Sequence, residues 1–293
     1  MEKLALMVVP MVVCLAAVIL SILLWRWNRK RRNVRPPVSE KMLRPPGESL
    51  RIKLQELDEK LDYNLTMCIV LGAILGFSLF GFSMQQRRAP TILEIAVMSA
   101  LFIPVAGYFS IRCFRLLKQR VNYQLGFDGE RFVGELLNKL MLENCYVFHD
   151  FPADKKWNID HVIVAPTGVF VVETKTLRKQ DAPPGKRDNT IVYDGNHLEL
   201  PHETHDHGLE QAKRNARWLG TWLSSATGEK VFVRPILTFP GWWVESRSDG
   251  DDIKVVNPKQ IRSVIFACDA LLSEEQRKRI IHQLDQKCRD VEF

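Results

Sequence analysis

The stretch Asn158–Thr176, N-I-D-H-V-I-V-A-P-T-G-V-F-V-V-E-T-K-T, decides the fold. Two runs rich in Val and Ile flank Ala165–Gly168, A-P-T-G, which reads as a β-hairpin with strands at Ile159–Val164 and Val169–Lys175. Apolar residues fall on both faces, the mark of strands covered on both sides. Asp160, Glu173 and Lys175 interrupt the pattern. Side chains alternate along a strand, so Glu173 and Lys175 share a face. Across a four-residue turn, Val164 faces Val169, Val162 faces Val171, and Asp160 faces Glu173. Directly opposed residues have Cβ atoms about 5 Å apart. Two carboxylates and one ammonium then converge on one patch of sheet. Like charges that close repel unless a cation lies between them. Mg2+ commonly binds through one or two carboxylates plus water and phosphate. Lys175, one pleat further on, reaches a phosphate or an attacking water. On these residues alone, edge charges or a plain Glu–Lys salt bridge remain an open alternative.

The flanking chain supplies the rest of a domain. Phe127–Leu142 reads as a helix with Phe132, Val133, Leu136, Leu137, Leu140 and Met141 as its apolar positions. Cys145–Phe148 is a short strand. Thr190–Leu200 holds a second hairpin with D-G-N at its tip. His207–Ser225 is a helix, and Val231–Phe239 and Ile253–Val256 are strands. Asn257 caps a helix with Pro258 at its first position. Ser273-Glu274-Glu275-Gln276 is a capping box opening a last helix that runs to about Arg289. This order predicts an α/β (α+β) mixed sheet flanked by helices.

The pattern D…E-x-K on neighbouring strands resembles the PD-(D/E)XK nuclease superfamily, and more narrowly the nuclease-related domain family, NERD. The residues that carry the resemblance are Gly129-Glu130-Arg131-Phe132-Val133, then Ile159 to Lys175, then Gln211 in E-Q-A-K-R-N-A. It covers roughly 123–240. It implies a restriction-endonuclease-like fold and a Mg2+ (or Mn2+) site on Asp160 and Glu173, with Lys175 positioning water or stabilising charge. It further implies that Glu130 adds an acidic group from the first helix, that Gln211 orients the site, and that the main-chain carbonyl of Thr174 is a third metal ligand. The reaction implied is hydrolysis of phosphodiester bonds, in DNA first and RNA second. The competing class is a catalytically silent module of the same fold that binds nucleic acid or protein. The insert Arg178–His207 departs from the family pattern where substrate would enter. Glu135, on a different helical face from Glu130, reads as solvated.

The N-terminal part has a different composition. Leu4–Trp25 carries no charge, and Leu65–Met84 and Thr91–Ile111 are two more apolar runs, with Glu94 near the start of the last. About 20 apolar residues cross a bilayer as a helix. We therefore expect a transmembrane helix within 1–27, a cytoplasmic basic and Pro-rich linker with an amphipathic helix over 28–64, a transmembrane helical hairpin over 65–111, and the NERD-like domain over 120–293. A buried helical hairpin is the alternative for the second and third runs. The amphipathic helix, Ser49–Tyr63, repeats Leu50, Leu54, Leu57 and Leu61. It suits the inner membrane face or the surface of the soluble domain.

The formal net charge of +7 divides unevenly. Residues 1–119 hold 17 Lys/Arg and 8 Asp/Glu, whereas residues 120–293 hold 24 and 26. The basic excess thus reports topology and is not a nucleic-acid footprint. The cluster Arg26–Arg35 follows the first span, and Arg112, Arg115, Lys118 and Arg120 follow the third. That places the N-terminus outside a bacterial-type inner (plasma) membrane and the nuclease-like domain in the cytoplasm. Arg87 and Arg88, between the second and third spans, go against the rule. Gly72 and Gly76 form a G-x-x-x-G that suits helix packing and a homo-oligomer. The cysteines form no C-x-x-C pair, so neither a zinc site nor a disulfide frame is indicated. His202, His205 and His207 lack helical ligand spacing, and a zinc role is disfavoured. Trp242–Trp243 suits packing, base stacking or a membrane interface. Arg178, Lys179, Lys186 and Arg187 form a basic flap after the E-T-K strand. A transporter reading fails for want of intramembrane ionisable residues.

Overall fold

The computed structural model describes residues 21, 24, 40–89, 91–154, 157–179, 181, 187–206, 208–248, 252–267 and 269–291. The expected first span and the basic cluster after it lie outside the described residues, apart from 21 and 24, as do Pro36-Pro37, Lys186 and His207. The chain divides into two compact units: the described part of one centres on Glu56–Gln119, and the other joins Glu40–Gln55 to Arg120–Phe293.

The first unit is built from two long helices, α1 (Glu48–Gln86) and α2 (Ile92–Asn138), each of which runs on into the second. The sequence suggested an amphipathic helix ending at Tyr63 and a separate apolar one from Leu65. They are one helix, because no Gly or Pro breaks the chain between Glu48 and Leu71. The run from Thr91 and the helix around Phe132 likewise merge, with Pro104 inside. Thr91 starts α2: its N–H and hydroxyl bond Glu94 Oε2 at 2.8 and 2.9 Å. Arg88 pairs with the same carboxylate at 2.6 Å, so the loop presents less positive charge than its sequence suggests. Among the described residues α1 is the one helix long and apolar enough to cross a membrane. Leu65, Ile69, Ile74 and Phe77 are exposed along it. A Cβ on Gly72 or Gly76 would meet nothing within 4 Å, so among the described residues no neighbouring helix uses that face.

The second unit is a mixed sheet. Its strands are β2 (Tyr146–Asp154), β3 (Trp157–Ala165), β4 (Gly168–Thr174), β8 (Val233–Thr238) and β10 (Lys254–Val256), in the order β10-β8-β4-β3-β2. β2, β3 and β4 are antiparallel neighbours; β4, β8 and β10 are parallel. The β3–β4 register is the one expected, with Val164 opposite Val169 and Val162 opposite Val171. The ladder continues one pair further, to Ala165 opposite Gly168, so the loop proper is Pro166-Thr167.

Helices seal both faces. The C-terminal part of α2 (Val133, Leu137), Leu140 in the 3-10 turn Lys139–Glu143 that follows it, and the short α4 (Ile261–Phe266) cover one, against Ile163, Phe170, Val172 and Ile236. The other carries α3 (Leu209–Thr227) and α5 (Glu274–Cys288), whose Leu219, Leu223, Ile280 and Leu284 pack on Val162, Val164, Val169 and Val171. Each such aliphatic side chain contributes about 1.5–3 kcal/mol on burial. The expected caps of the last helices are present, Ser273 and Gln276 closing one box and Asn257 and Gln260 the other.

Two features extend the sequence reading. The Arg178–His207 insert carries β5 (Thr190–Tyr193), β6 (Leu198–Glu199) and β7 (Thr204–His205), which join β9 (Trp243–Ser246) in a second sheet, β7-β6-β5-β9. Its core includes Ile191, Leu198, Phe239, Trp242 and Val244. And Glu40–Gln55, read from sequence as linker and amphipathic helix, is integral to this unit. β1 (Met42–Leu43) pairs with β11 (Arg289–Val291). Pro46 packs where a Cβ on Gly134 would collide with it.

Candidate functional site

The regular β3–β4 ladder stops at His161 opposite Val172. One residue further on, Asp160 uses its side chain in place of a backbone carbonyl: Oδ2 accepts the N–H of Thr174 at 2.8 Å. Glu173 is buried to 1 % exposure, and each of its oxygens has a partner. Oε1 accepts from Lys175 Nζ at 2.8 Å and Oε2 from Asn215 Nδ2 at 3.1 Å. Lys175 Nζ also donates to Gln211 Oε1 at 2.9 Å. Its stem passes Gly208 (φ 95°), where an added Cβ would lie 3.0 Å from Lys175 Cγ. The Gln211–Lys175–Glu173–Asn215 chain thus ties α3 to β4, and Gln211 and Asn215, four residues apart, lie on one helix face.

Glu130 reaches the same neighbourhood from α2. Gly129 permits this: a Cβ there would overlap Thr176 Oγ1 and approach Thr176 Cβ to 2.8 Å. Burial raises the Glu130 pKa to about 8, with Asp150 and Glu173 adding to the rise and Lys175 opposing it. Burial likewise drives Asp160 well above the usual carboxylate range, helped by Glu173 and Glu130. Glu173 is raised chiefly by burial, against the pull of Lys175. Burial disfavours the charge on Lys175, but Glu173, Asp160 and Glu130 outweigh it and hold its pKa above the ordinary value. Three carboxyl groups whose ionisation burial opposes lie around one ammonium, and a divalent cation would favour their charged forms.

The donor set fits such an ion. Among the described residues, Glu130 Oε2, Thr174 Oγ1, Thr176 Oγ1 and Asn215 Oδ1 are buried side-chain atoms without a hydrogen-bond partner. A buried polar atom without a protein partner is ordinarily met by water or an ion. No group of three His, Cys, Asp or Glu side chains among the described residues is arranged to hold a metal by itself. Two carboxylates completed by main-chain oxygen and water match the habits of Mg2+.

Residues that sequence reasoning passed over surround the cluster. Asp150, in β2 with φ 46°, is fully buried. Its Oδ2 accepts from Arg44 Nη1 (2.8 Å), Ser49 N (3.0 Å) and Ser49 Oγ (2.7 Å), and its Oδ1 from Asn158. Burial pushes the Asp150 pKa up, whereas Arg44, bonded first to Asp290 and also to Asp150, is held above its ordinary value. Four donors converge on Asp150 and leave no acceptor for a carboxyl proton, so we take it as ionised. Asn215 was legible as the residue four after Gln211; Arg44 and Asp150 had no local signal.

Other candidates lie elsewhere. His161 is fully buried and pairs across strands with His149, Nδ1 to Nδ1 at 2.9 Å, while His149 Nε2 meets Asn138 Oδ1 at 2.9 Å. Glu135 is exposed and pairs with Arg131 at 3.4 Å. His202 is exposed, and among the described residues no metal-ligating group forms around it. Trp242 is buried with its N–H on the Leu177 carbonyl, and Trp243 is exposed. Arg178 bonds Asn122, and Lys179 lies 6.0 Å from the Trp242 ring centroid.

Residues 125–240 match the family model of the nuclease-related domain, NERD. The matched stretch holds Glu130, Asp160, Glu173, Lys175 and Gln211. An uncharacterized protein of Bacillus anthracis is 33 % identical over 87 residues, 28 % of this chain, and the chain spans 39 % of that relative's length. No solved structure matches the chain.

Proposed function

We propose that the protein is a membrane-anchored, metal-dependent nuclease that hydrolyses phosphodiester bonds of DNA, or of RNA, through Asp160, Glu173 and Lys175. The observation that carries this reading is the convergence of Asp160, Glu173 and Lys175 where the β3–β4 ladder ends. Asp160, Glu173 and the Thr174 main-chain carbonyl would hold Mg2+ or Mn2+, which when bound supplies charge neutralisation at the phosphate and an acidified water. Lys175, fixed between Glu173 and Gln211, holds a phosphate oxygen or the attacking water by hydrogen bond. Asn215 and Gln211 keep Glu173 and Lys175 in place. Glu130, whose pKa of about 8 leaves it largely protonated at neutral pH, stores a proton beside the cluster. The exposed apolar surface of α1 and the basic excess of 1–119 support anchoring in a bacterial-type inner membrane, with the nuclease-like domain cytoplasmic.

The test uses the full chain in detergent with labelled oligonucleotides and a titration of Mg2+, Mn2+ and Ca2+. Cleavage that requires metal and falls at least about 100-fold in Asp160→Asn and in Lys175→Ala supports the reading. Nucleic-acid binding without cleavage in every metal would replace the enzyme with a binding module.

A further inference from the structure

Helix α3 carries more than the two amides that brace Lys175 and Glu173. Arg214 adjoins Asn215, and Trp218 and Trp222 follow at helical spacing on the same side. Trp157, which opens β3 three residues before Asp160, meets Trp218 edge-on, with ring centroids 5.2 Å apart and planes at 74°. Trp218 and Trp222 lie parallel at 6.2 Å. From inside, Lys287 bonds the Ala153 carbonyl at 3.1 Å and sits 4.8 and 4.7 Å from those two ring centroids. All three indoles are half-buried, and none of their N–H groups has a partner among the described residues or is sealed from solvent.

Arg214 is an uncommitted cation of this surface. Its guanidinium lies 5.4 Å from the Trp157 ring centroid, its side chain is exposed, and it makes no hydrogen bond or ion pair with the described residues. By contrast, Arg131, Arg247, Arg262, Arg279 and Arg289 are held in ion pairs. Arg214 is close enough to Glu173 to favour its charged form. A polyanion approaching a buried acidic cluster, in a domain that holds more Asp/Glu than Lys/Arg, needs an exposed cation at the entrance. Arginine suits the role, since its planar fork matches a phosphate and it stacks on aromatic rings. Trp157 and Asp160 are about 10 Å apart along the strand, within reach of neighbouring nucleotides. A base reaches an indole only when it is unpaired, and stacking there is tolerant of sequence.

Building on the nuclease reading above, we propose that Arg214, seated on Trp157, grips the backbone phosphate next to the scissile one, and that the Trp157–Trp218 edge receives an unpaired base, so that the site takes single-stranded polynucleotide. Arg214 is here a substrate-binding residue and Trp157 its pedestal.

The experiment uses the full chain in detergent. Affinities for a labelled single-stranded oligonucleotide and for a duplex of equal length are measured in Ca2+ over a range of salt, and turnover is measured separately in the metal that supports cleavage. The wild type is expected to bind the single strand at least about tenfold more tightly. Arg214→Gln is expected to weaken single-strand binding about tenfold and to reduce the slope of log K against log salt by about 0.7. Arg214→Lys should restore the slope. Trp157→Phe should keep the single-strand preference, and Trp157→Ala should lose it. Both are checked by thermal unfolding, with Trp157→Phe as the folded reference. If the wild type cleaves but Arg214→Gln leaves affinity and salt slope unchanged, or duplex is preferred, the clamp is overturned and the nuclease reading stands. If the wild type neither binds nor cleaves in any metal, the nuclease reading falls, and this inference with it.

Discussion

Replacing Arg44 by Met asks whether the segment before α1 is a structural part of the nuclease-related unit. Arg44 leaves Asp150 and Asp290 when it is replaced, and Met keeps much of its stem. The Arg44–Asp150 contact is 2.8 Å, with side-chain exposures of 17 % and 0 %. Removing one partner of a buried ion pair typically costs about 3–5 kcal/mol, because the remaining charge stays buried. Asp150 retains Ser49 and Asn158 as donors, so the lower end, about 3 kcal/mol, is expected. For a unit of this size each kcal/mol moves Tm by about 2–4 °C, which gives a fall of about 6–12 °C. The measurement is calorimetric unfolding of the full chain in detergent, followed through the transition reported by near-UV circular dichroism of the tryptophans. Asp150→Asn should also destabilise, and the double variant should cost less than the sum by at least about 1 kcal/mol, since the second change removes a charge already orphaned. An Arg44→Met chain melting within about 2 °C of the wild type would refute the reasoning. Glu40–Gln55 would then be a passive tether.

Two further outcomes follow from buried ionisable groups. Burial lowers the His149 pKa to about 4, so the unfolded chain binds this proton first as pH falls. The stability His149 lends above its unfolded pKa near 6.5 is therefore lost between about pH 6.5 and 4, and amounts to about 3 kcal/mol. Unfolding of wild type and His149→Gln across that window should show the steeper decline in the wild type, and parallel curves would contradict the assignment. Glu130 has the opposite sign: its raised pKa makes its ionised form destabilising above the unfolded value near 4.5, increasingly so towards pH 8. Glu130→Gln should raise Tm at pH 8 when divalent metal is absent, and when metal is present should lower cleavage more than about tenfold, the trade expected of a functional carboxylate. A fall in Tm would show that the carboxylate is a structural group.

Much of the active-site reading came from strand periodicity. The alternation of Ile159–Lys175 assigns the hairpin and its register from Val164 opposite Val169 to His161 opposite Val172, because a slip of one residue would turn the buried Val and Ile side chains to the wrong face. The capping residues Ser273 and Asn257 were equally legible, since a cap is a contact between residues three apart. The insert after Lys175 was seen only in part: its hairpin was legible, but its pairing with Trp243–Ser246 joins strands some fifty residues apart.

The sequence by itself determined the local matter: which segments are apolar enough to cross a bilayer, where the hairpin turns, and which charges interrupt its strands. Only the tertiary structure decided what those charges meet. Arg44 and Asp150 are 106 residues apart, Gln211 and Lys175 are 36 apart, and Arg214 reaches Trp157 from another element. Periodicity and capping act within a few residues along the backbone. A buried charge is satisfied by whatever polar group packing brings to it, and no local pattern in the sequence records that neighbour.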